Sequence, residues 1–182
     1  MNAAVASTPA SSANLRNFQS LDRRGTASIL PAQFGQNPYA MLTIRGIDHV
    51  VLRVRDIERM RKFYCDVLGA QHVAYRPQFG MSHLRVGSAM IDLVEVNGPL
   101  GKSGGAAPGT EGRNMDHLCL RVEPFDEPGI VAHLKAHGIG VGDIRNRFGA
   151  EGNGTSIYLT DPEGNTVELK GPSDGKLQPP AP

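Results

Sequence analysis

Residues 47–54 read IDHVVLRV, and residues 115–122 read MDHLCLRV. The Asp-His pair, the Leu and the Arg-Val ending recur in the same slots, so the chain writes one phrase twice. Short β-branched or apolar runs of this kind read as strands. After the first copy, Asp56 is a good N-cap, and Ile57, Met60, Tyr64, Val67 and Leu68 fall on one helical stripe. Gly69 then supplies a left-handed C-cap. After the second, Asp126 is placed to cap, Pro128 sits in the first turn, Ile130, Val131 and Leu134 form the stripe, and Gly138 ends it. Strand-like pieces follow each helix, about 71–76, 82–87 and 89–96 in the first half and 140–147, 155–160 and 165–170 in the second. The last two are joined by the turn D161-P-E-G-N165, with Pro and Gly at the second and fourth positions of a tight connection. Both halves therefore read β-α-β-β-β. The pattern predicts an α+β fold made by internal duplication, two βαβββ modules in tandem.

The flanks differ from this unit. Residues 1–41 are rich in Ala, Ser, Asn and Gln without a sustained apolar period, which predicts a disordered extension. The Pro- and Gly-rich tail 173–182 reads the same way. The folding unit is expected over 42–172, with module 1 at about 44–97, a Gly-rich linker at 98–112 and module 2 at about 113–172. The net charge of +1, with no long basic run, gives no footprint for nucleic acid or a membrane surface. No apolar stretch approaches the roughly 20 residues of a spanning helix. Cys65 and Cys119 lie apart within apolar-periodic segments, which predicts buried reduced thiols and favours a cytoplasmic setting.

Aligning the halves to their ends adds two acids. MIDLVEV (90–96) and TVELKG (166–171) are the final strands, so each half holds one histidine and one carboxylate: His49 with Asp92, and His117 with Glu168. Strand side chains alternate between faces. Asp92 lies between Ile91 and Leu93, and Glu168 between Val167 and Leu169, so both acids oppose apolar neighbours expected under the helices. Taken singly, each is more readily a structural residue than a ligand. Their matched placement in both halves is what points to a divalent metal, whose charge offsets the repulsion between neighbouring carboxylates.

These phrases resemble the vicinal oxygen chelate (VOC) superfamily, which includes glyoxalase I, methylmalonyl-CoA epimerase, extradiol dioxygenases, and fosfomycin and bleomycin resistance proteins. The resemblance covers about 42–172 and rests on IDHVVLRVRDIERMRKFYCDVLG, MIDLVEV, MDHLCLRV and YLTDPEGNTVELKGP. It implies a cup-shaped mixed sheet with His49, Asp92, His117 and Glu168 at four metal-ligand slots, and Zn, Ni, Mn, Co or Fe as the cation. It also implies Arg53 as a grip for an anionic substrate, with Arg121 as its counterpart in the second half. For a glyoxalase I-like member it implies glutathione as co-substrate and isomerisation through a stabilised enediolate. There Glu168 would act as the base and Asp92 as the partner carboxylate. The departure is Asp92, where glyoxalase I has the longer Glu.

Two alternatives stay open. His49, His117 and Glu168 alone make the 2-His-1-carboxylate set of iron(II) oxygenases, and so an extradiol-type dioxygenase, with His83, His72 and Tyr75 as the nearby acid-base candidates. A small-molecule or antibiotic-binding resistance protein without catalysis is the other, although bleomycin-binding relatives lack the ligand set. The modules could pair within one chain or between two copies in a homodimer. Other motifs carry less. His133 and His137 have helical metal spacing without the Glu of H-E-x-x-H. GKS at 101–103 lacks the earlier Gly of a phosphate loop. FGAEGNG (148–154) reads as a flexible loop beside the cup, a candidate substrate lid.

Overall fold

The computed structural model describes residues 45–111 and 115–176. Module 1 runs β1 (His49–Val54), α1 (Ile57–Lys62), β2 (Gln71–Arg76), β3 (Met81–Val86) and β4 (Ala89–Glu95). Module 2 runs β5 (His117–Arg121), α2 (Glu127–Ala136), β6 (Val141–Gly149), β7 (Gly152–Thr160) and β8 (Thr166–Lys170). Each module is a four-stranded mixed sheet, ordered β1-β4-β3-β2 and β5-β8-β7-β6. The first strand of each lies parallel to the last, and the other pairings are antiparallel. This is the repeated βαβββ architecture that the duplicated phrase predicts. All of the expected N-terminal extension, residues 112–114 with Arg113 and Asn114, and residues 177–182 of the tail lie outside the described residues.

The helix ends follow the local chemistry only in part. Asp56 Oδ1 accepts from the Arg59 amide at 2.9 Å, as a good N-cap does. The stripe expected to run to Leu68 as one α-helix instead widens into a π-helical turn, Phe63–Val67. The extra residue per turn lets both Phe63 and Tyr64 enter the core, at 4% and 0% exposure. Gly69 closes the segment at φ +77°, in the left-handed region where glycine has no Cβ penalty. Asp126 heads α2, but its side chain accepts no capping hydrogen bond. Its carboxylate lies over Gly129, where a Cβ would meet Oδ2 at 2.2 Å.

Both modules share one hydrophobic core. Leu52, Val54, Met60, Leu84, Ile91 and Leu93 belong to the same buried cluster as Leu134, Ile157, Leu159, Val167 and Leu169. Each such side chain, fully buried, contributes about 1.5–3 kcal/mol. Polar ties also cross between the halves. Tyr64 donates its buried hydroxyl to Asp161 Oδ2 at 3.2 Å. Glu163 Oε1 accepts from the amides of Arg55 and Asp56 at 2.6 and 2.8 Å, and His133 Nε2 meets the Val67 carbonyl at 2.8 Å. His137 Nδ1 bonds the His133 carbonyl at 2.9 Å, so the HLKAH pair is engaged locally and between modules.

Two expectations about smaller features change. Both cysteines are free thiols, but Cys65 is half-buried and Cys119 is exposed, because Cys119 lies on the sheet face turned away from the core. The tail expected to be disordered from Ser173 is held as far as Lys176 beside β7. The Asp174 amide donates to the Asn153 carbonyl at 2.7 Å, and the Asn153 amide donates to the Lys176 carbonyl at 2.9 Å. No helix among the described residues is long and apolar enough to cross a membrane.

Candidate metal centre

The register of the two parallel pairs settles which side chains share a face. Asp92 lies opposite Val51, and Glu168 opposite Cys119. Each acid therefore stands on the same sheet face as its module's histidine, while Ile91, Leu93, Val167 and Leu169 go to the core. Strand alternation, read from sequence, anticipated this placement.

The Asp-His repeat has a purpose that the histidines alone do not reveal. Asp48 Oδ1 lies 2.7 Å from His49 Nδ1, and Asp116 Oδ1 lies 2.7 Å from His117 Nδ1. A carboxylate can only accept there, so Nδ1 is the donor in each pair, and in the neutral ring Nε2 would be the nitrogen left to hold a cation. The bond to Asp48 raises the His49 pKa above the ordinary imidazole value, against some desolvation and with help from the charge of Asp92.

In module 2, His117 Nε2 stands 3.1 Å from Glu168 Oε2. Glu168 is 4% exposed, and its Oε1 is buried without a hydrogen-bond donor. A buried carboxylate oxygen left unpaired is costly, and a cation is the partner that most directly satisfies it. Tyr158, opposite Glu168 on β7, tilts against the His117 ring with centroids 5.4 Å apart, and Arg147 stacks over Tyr158 at 4.1 Å. The Cys119 thiol is pushed up to about 12, first by desolvation around the sulfur and then by the Glu168 charge.

In module 1, Asp92 is 6% exposed and its Oδ1 lies 2.7 Å from His83 Nδ1, directly across from it on β3. His83 thus reaches the site face. Tyr75 does not, since it pairs with Ser82 beyond the register shift that follows His72. The two half-sites stay separate within one chain: among the described residues, no three His, Cys, Asp or Glu side chains come close enough to hold one ion. His49 and Asp92 stand on the sheet face of module 1, and His117 and Glu168 on that of module 2.

The arginines are already engaged. Arg53 donates to four connector carbonyls, those of Gly101, Gly104, Gly105 and Ala106, at 2.7–3.0 Å. Arg121 pairs with Glu123 at 2.9 Å and with Glu151. His83, an acid-base candidate from the sequence, lies on the site face, as do Tyr158, Arg147 and Lys170, which the sequence left unassigned. Lys170, two positions after Glu168, carried a readable signal in its strand parity; the others depend on cross-strand register.

Residues 46–169 match the family model of the Glyoxalase/Bleomycin resistance protein/Dioxygenase superfamily. The chain belongs to that superfamily. It is 30% identical over 131 residues to the virulence protein STM3117 of Salmonella typhimurium, covering 70% of this chain and 85% of that protein. It is 31% identical over 150 residues to the glyoxalase domain-containing protein RDO1 of Mycosarcoma maydis, covering 80% and 78%. Among solved structures, an integron cassette protein of V. cholerae superposes with a TM-score of 0.58 at 27% identity, covering 72% of this chain and 98% of that one. Wider matches in the superfamily include a lactoylglutathione lyase, a catechol dioxygenase, methylmalonyl-CoA epimerases and a fosfomycin resistance protein. The lyase and the fosfomycin resistance protein share the fold at 23% and 20% identity, while the curated matches carry dioxygenase and epimerase names.

Proposed function

We propose that the chain is a divalent-metal enzyme of glyoxalase type, acting on a small oxygenated substrate or its thiol adduct, with glutathione as the co-substrate to test first. The observation that carries this reading is the buried, unpartnered Glu168 Oε1 beside His117 Nε2. His117 and Glu168 would form one half of the ligand set and His49 and Asp92 the other. A second copy would complete the site, with module 1 of one chain facing module 2 of its partner. Support for this pairing comes from the separation of the half-sites and from the apolar surface beside each. Ile47 and Val51 flank His49 at 76% and 47% exposure, and Phe148 lies by the module 2 half-site at 48%.

A bound cation would supply Lewis-acid polarisation of two adjacent substrate oxygens. The protein's part is positional. Asp48 and Asp116 would orient the imidazoles, the sheet buries both acids, and Glu168 would take a carbon-bound proton next to a carbonyl. The proton would go to a carboxylate oxygen, and the same group could return it to the neighbouring carbon.

A second reading has one observation of its own. His83 already occupies Asp92 Oδ1. That leaves His49, His117 and Glu168 as an iron(II) oxygenase set, with His83 nearby as an acid-base group.

Mixing two defective variants tests the centre. His49→Ala and His117→Ala should each lose metal, read by elemental mass spectrometry after co-refolding and purification through distinct tags. If sites form between copies, the mixed dimer has one intact site and recovers one metal ion. No recovery in the mixture refutes the pairing, and no metal in the wild-type protein refutes metal dependence, leaving a binding protein. Methylglyoxal plus glutathione with Ni or Zn, set against oxygen uptake on catechols with iron(II), then separates the two enzyme readings.

A further inference from the structure

We infer that Glu151, at the tip of the β6–β7 hairpin, is an internal plug in an anion subsite. On release it gives place to the carboxylate, phosphonate or phosphate group of a compact substrate, gripped by Arg121 and Lys170. The inference deepens the proposed function, on which it rests for placing this subsite beside the reacting centre.

The subsite is a cavity of about 360 Å³ whose lining includes His117, Cys119, Arg121, Glu151, Glu168 and Lys170. Lys170 is only 7% exposed. Its ammonium donates to the carbonyls of Arg147 and Gly154, at 2.6 and 3.2 Å. An ammonium has three N–H donors, and among the described residues the third has no acceptor. No Asp or Glu among them lies within ion-pair distance of it either. A buried ammonium held by two carbonyls keeps one N–H to donate to whatever enters the cavity.

The hairpin is shaped to admit this side chain. A Cβ on Gly149 would meet Lys170 Cε at 2.6 Å, and one on Gly154 would meet Nζ at 3.2 Å. Those two glycines leave a bare path under which the lysine runs from β8 to the β6–β7 stem.

Arg121 is the second cation, and two carboxylates share it. Glu123 holds Nη2 at 2.9 Å, and Glu151 holds Nη1. The Glu151 side chain is 59% exposed, and the chain turns next to it at Gly152, φ +107°. An exposed ion pair at a glycine-built turn is weak and readily exchanged. Swinging Glu151 outward removes the one acid in this lining other than the candidate ligand Glu168. It uncovers a guanidinium and an ammonium on the same wall. A substrate anion that replaces Glu151 on Arg121 keeps that charge compensated, and Lys170 supplies an attraction that Glu151 does not use.

The test uses the full chain after EDTA treatment, so the metal plays no part and the outcome is independent of the mixing experiment. Malonate and inorganic phosphate are titrated calorimetrically into wild type, Glu151→Gln, Lys170→Gln and Arg121→Gln. Glu151→Gln should bind at least fivefold more tightly than wild type, and its amides over 148–152 should exchange hydrogen faster until the anion is added. Lys170→Gln and Arg121→Gln should each bind at least tenfold more weakly. Tighter malonate binding assigns a carboxylate, and tighter phosphate binding a phosphoryl group. Equal affinity of wild type and Glu151→Gln for both anions overturns the plug, as does absence of binding to either. Should Lys170→Gln fail to fold, Glu151→Gln and the exposed Arg121→Gln still decide the matter.

Discussion

Tyr64 and Asp161 link the two modules, and the pair gives a quantitative test of the shared core. Tyr64 is fully buried, and both desolvation and the Asp161 carboxylate push its pKa upward, so the hydroxyl remains a donor. Tyr64→Phe removes one hydrogen bond to a charged acceptor while keeping the ring packed. Such a bond contributes roughly 1–2 kcal/mol net, because Asp161 Oδ2 keeps its other donor, Asn165 Nδ2 at 2.7 Å. Asp161→Ala removes that contact as well as the amides of Glu163 and Asn165 on Oδ1, at 3.0 and 2.8 Å, and leaves the Tyr64 hydroxyl buried and unpaired. Its cost should be about 3–5 kcal/mol. For a unit of this size, about 1 kcal/mol shifts Tm by roughly 4 °C. Urea unfolding followed by far-UV circular dichroism suits a chain without tryptophan. The variants should lower the midpoint at constant m. A Tyr64→Phe loss below about 0.5 kcal/mol, or equal losses in the two variants, refutes the reasoning.

Cys119 should resist alkylation although it is exposed. With its pKa raised to about 12 from 9.0, the thiolate fraction at pH 8 is far below that of an ordinary cysteine. Iodoacetamide labelling, read by peptide mass spectrometry, should be roughly a hundredfold slower than for a free thiol. Neutralising the neighbouring charge with Glu168→Gln lowers that pKa and should speed labelling; an unchanged rate would count against the Glu168 contribution. Arg53→Ala should release the connector, since four carbonyls lose their donor. Limited proteolysis within 99–111 should rise at least tenfold, and no change would show that the strap holds by other means.

The fold was legible because the duplication repeats its own punctuation: two Asp-His strands, two helices closed by Gly69 and Gly138, and two acid-bearing final strands. The faces that carry Asp92 and Glu168 were legible for the same reason, since strand alternation needs no knowledge of partners. Other features depend on what lies across a strand or across the molecule. The His83–Asp92 pair needs the β3–β4 register, and Tyr158 over His117 needs the β7–β8 register. The fate of Arg53 was hidden because its partners are backbone carbonyls of a Gly-rich connector, which have no residue-specific signature. The π-helical turn was hidden as well, because a stripe of apolar residues does not specify how two adjacent aromatics both reach the core.

The single shared core bears on how such a chain could have arisen. Leu134, Ile157, Leu159, Val167 and Leu169 belong to one buried cluster with the core residues of the other half. One module expressed alone would lose the share of that cluster which the other half contributes, and restoring it would take a mate, at a concentration set by its affinity. Joining two copies through the connector at 98–112 replaces that encounter with a tether, and folding no longer depends on dilution. It also lets the two copies differ: one half holds Glu at its acid slot and the other Asp.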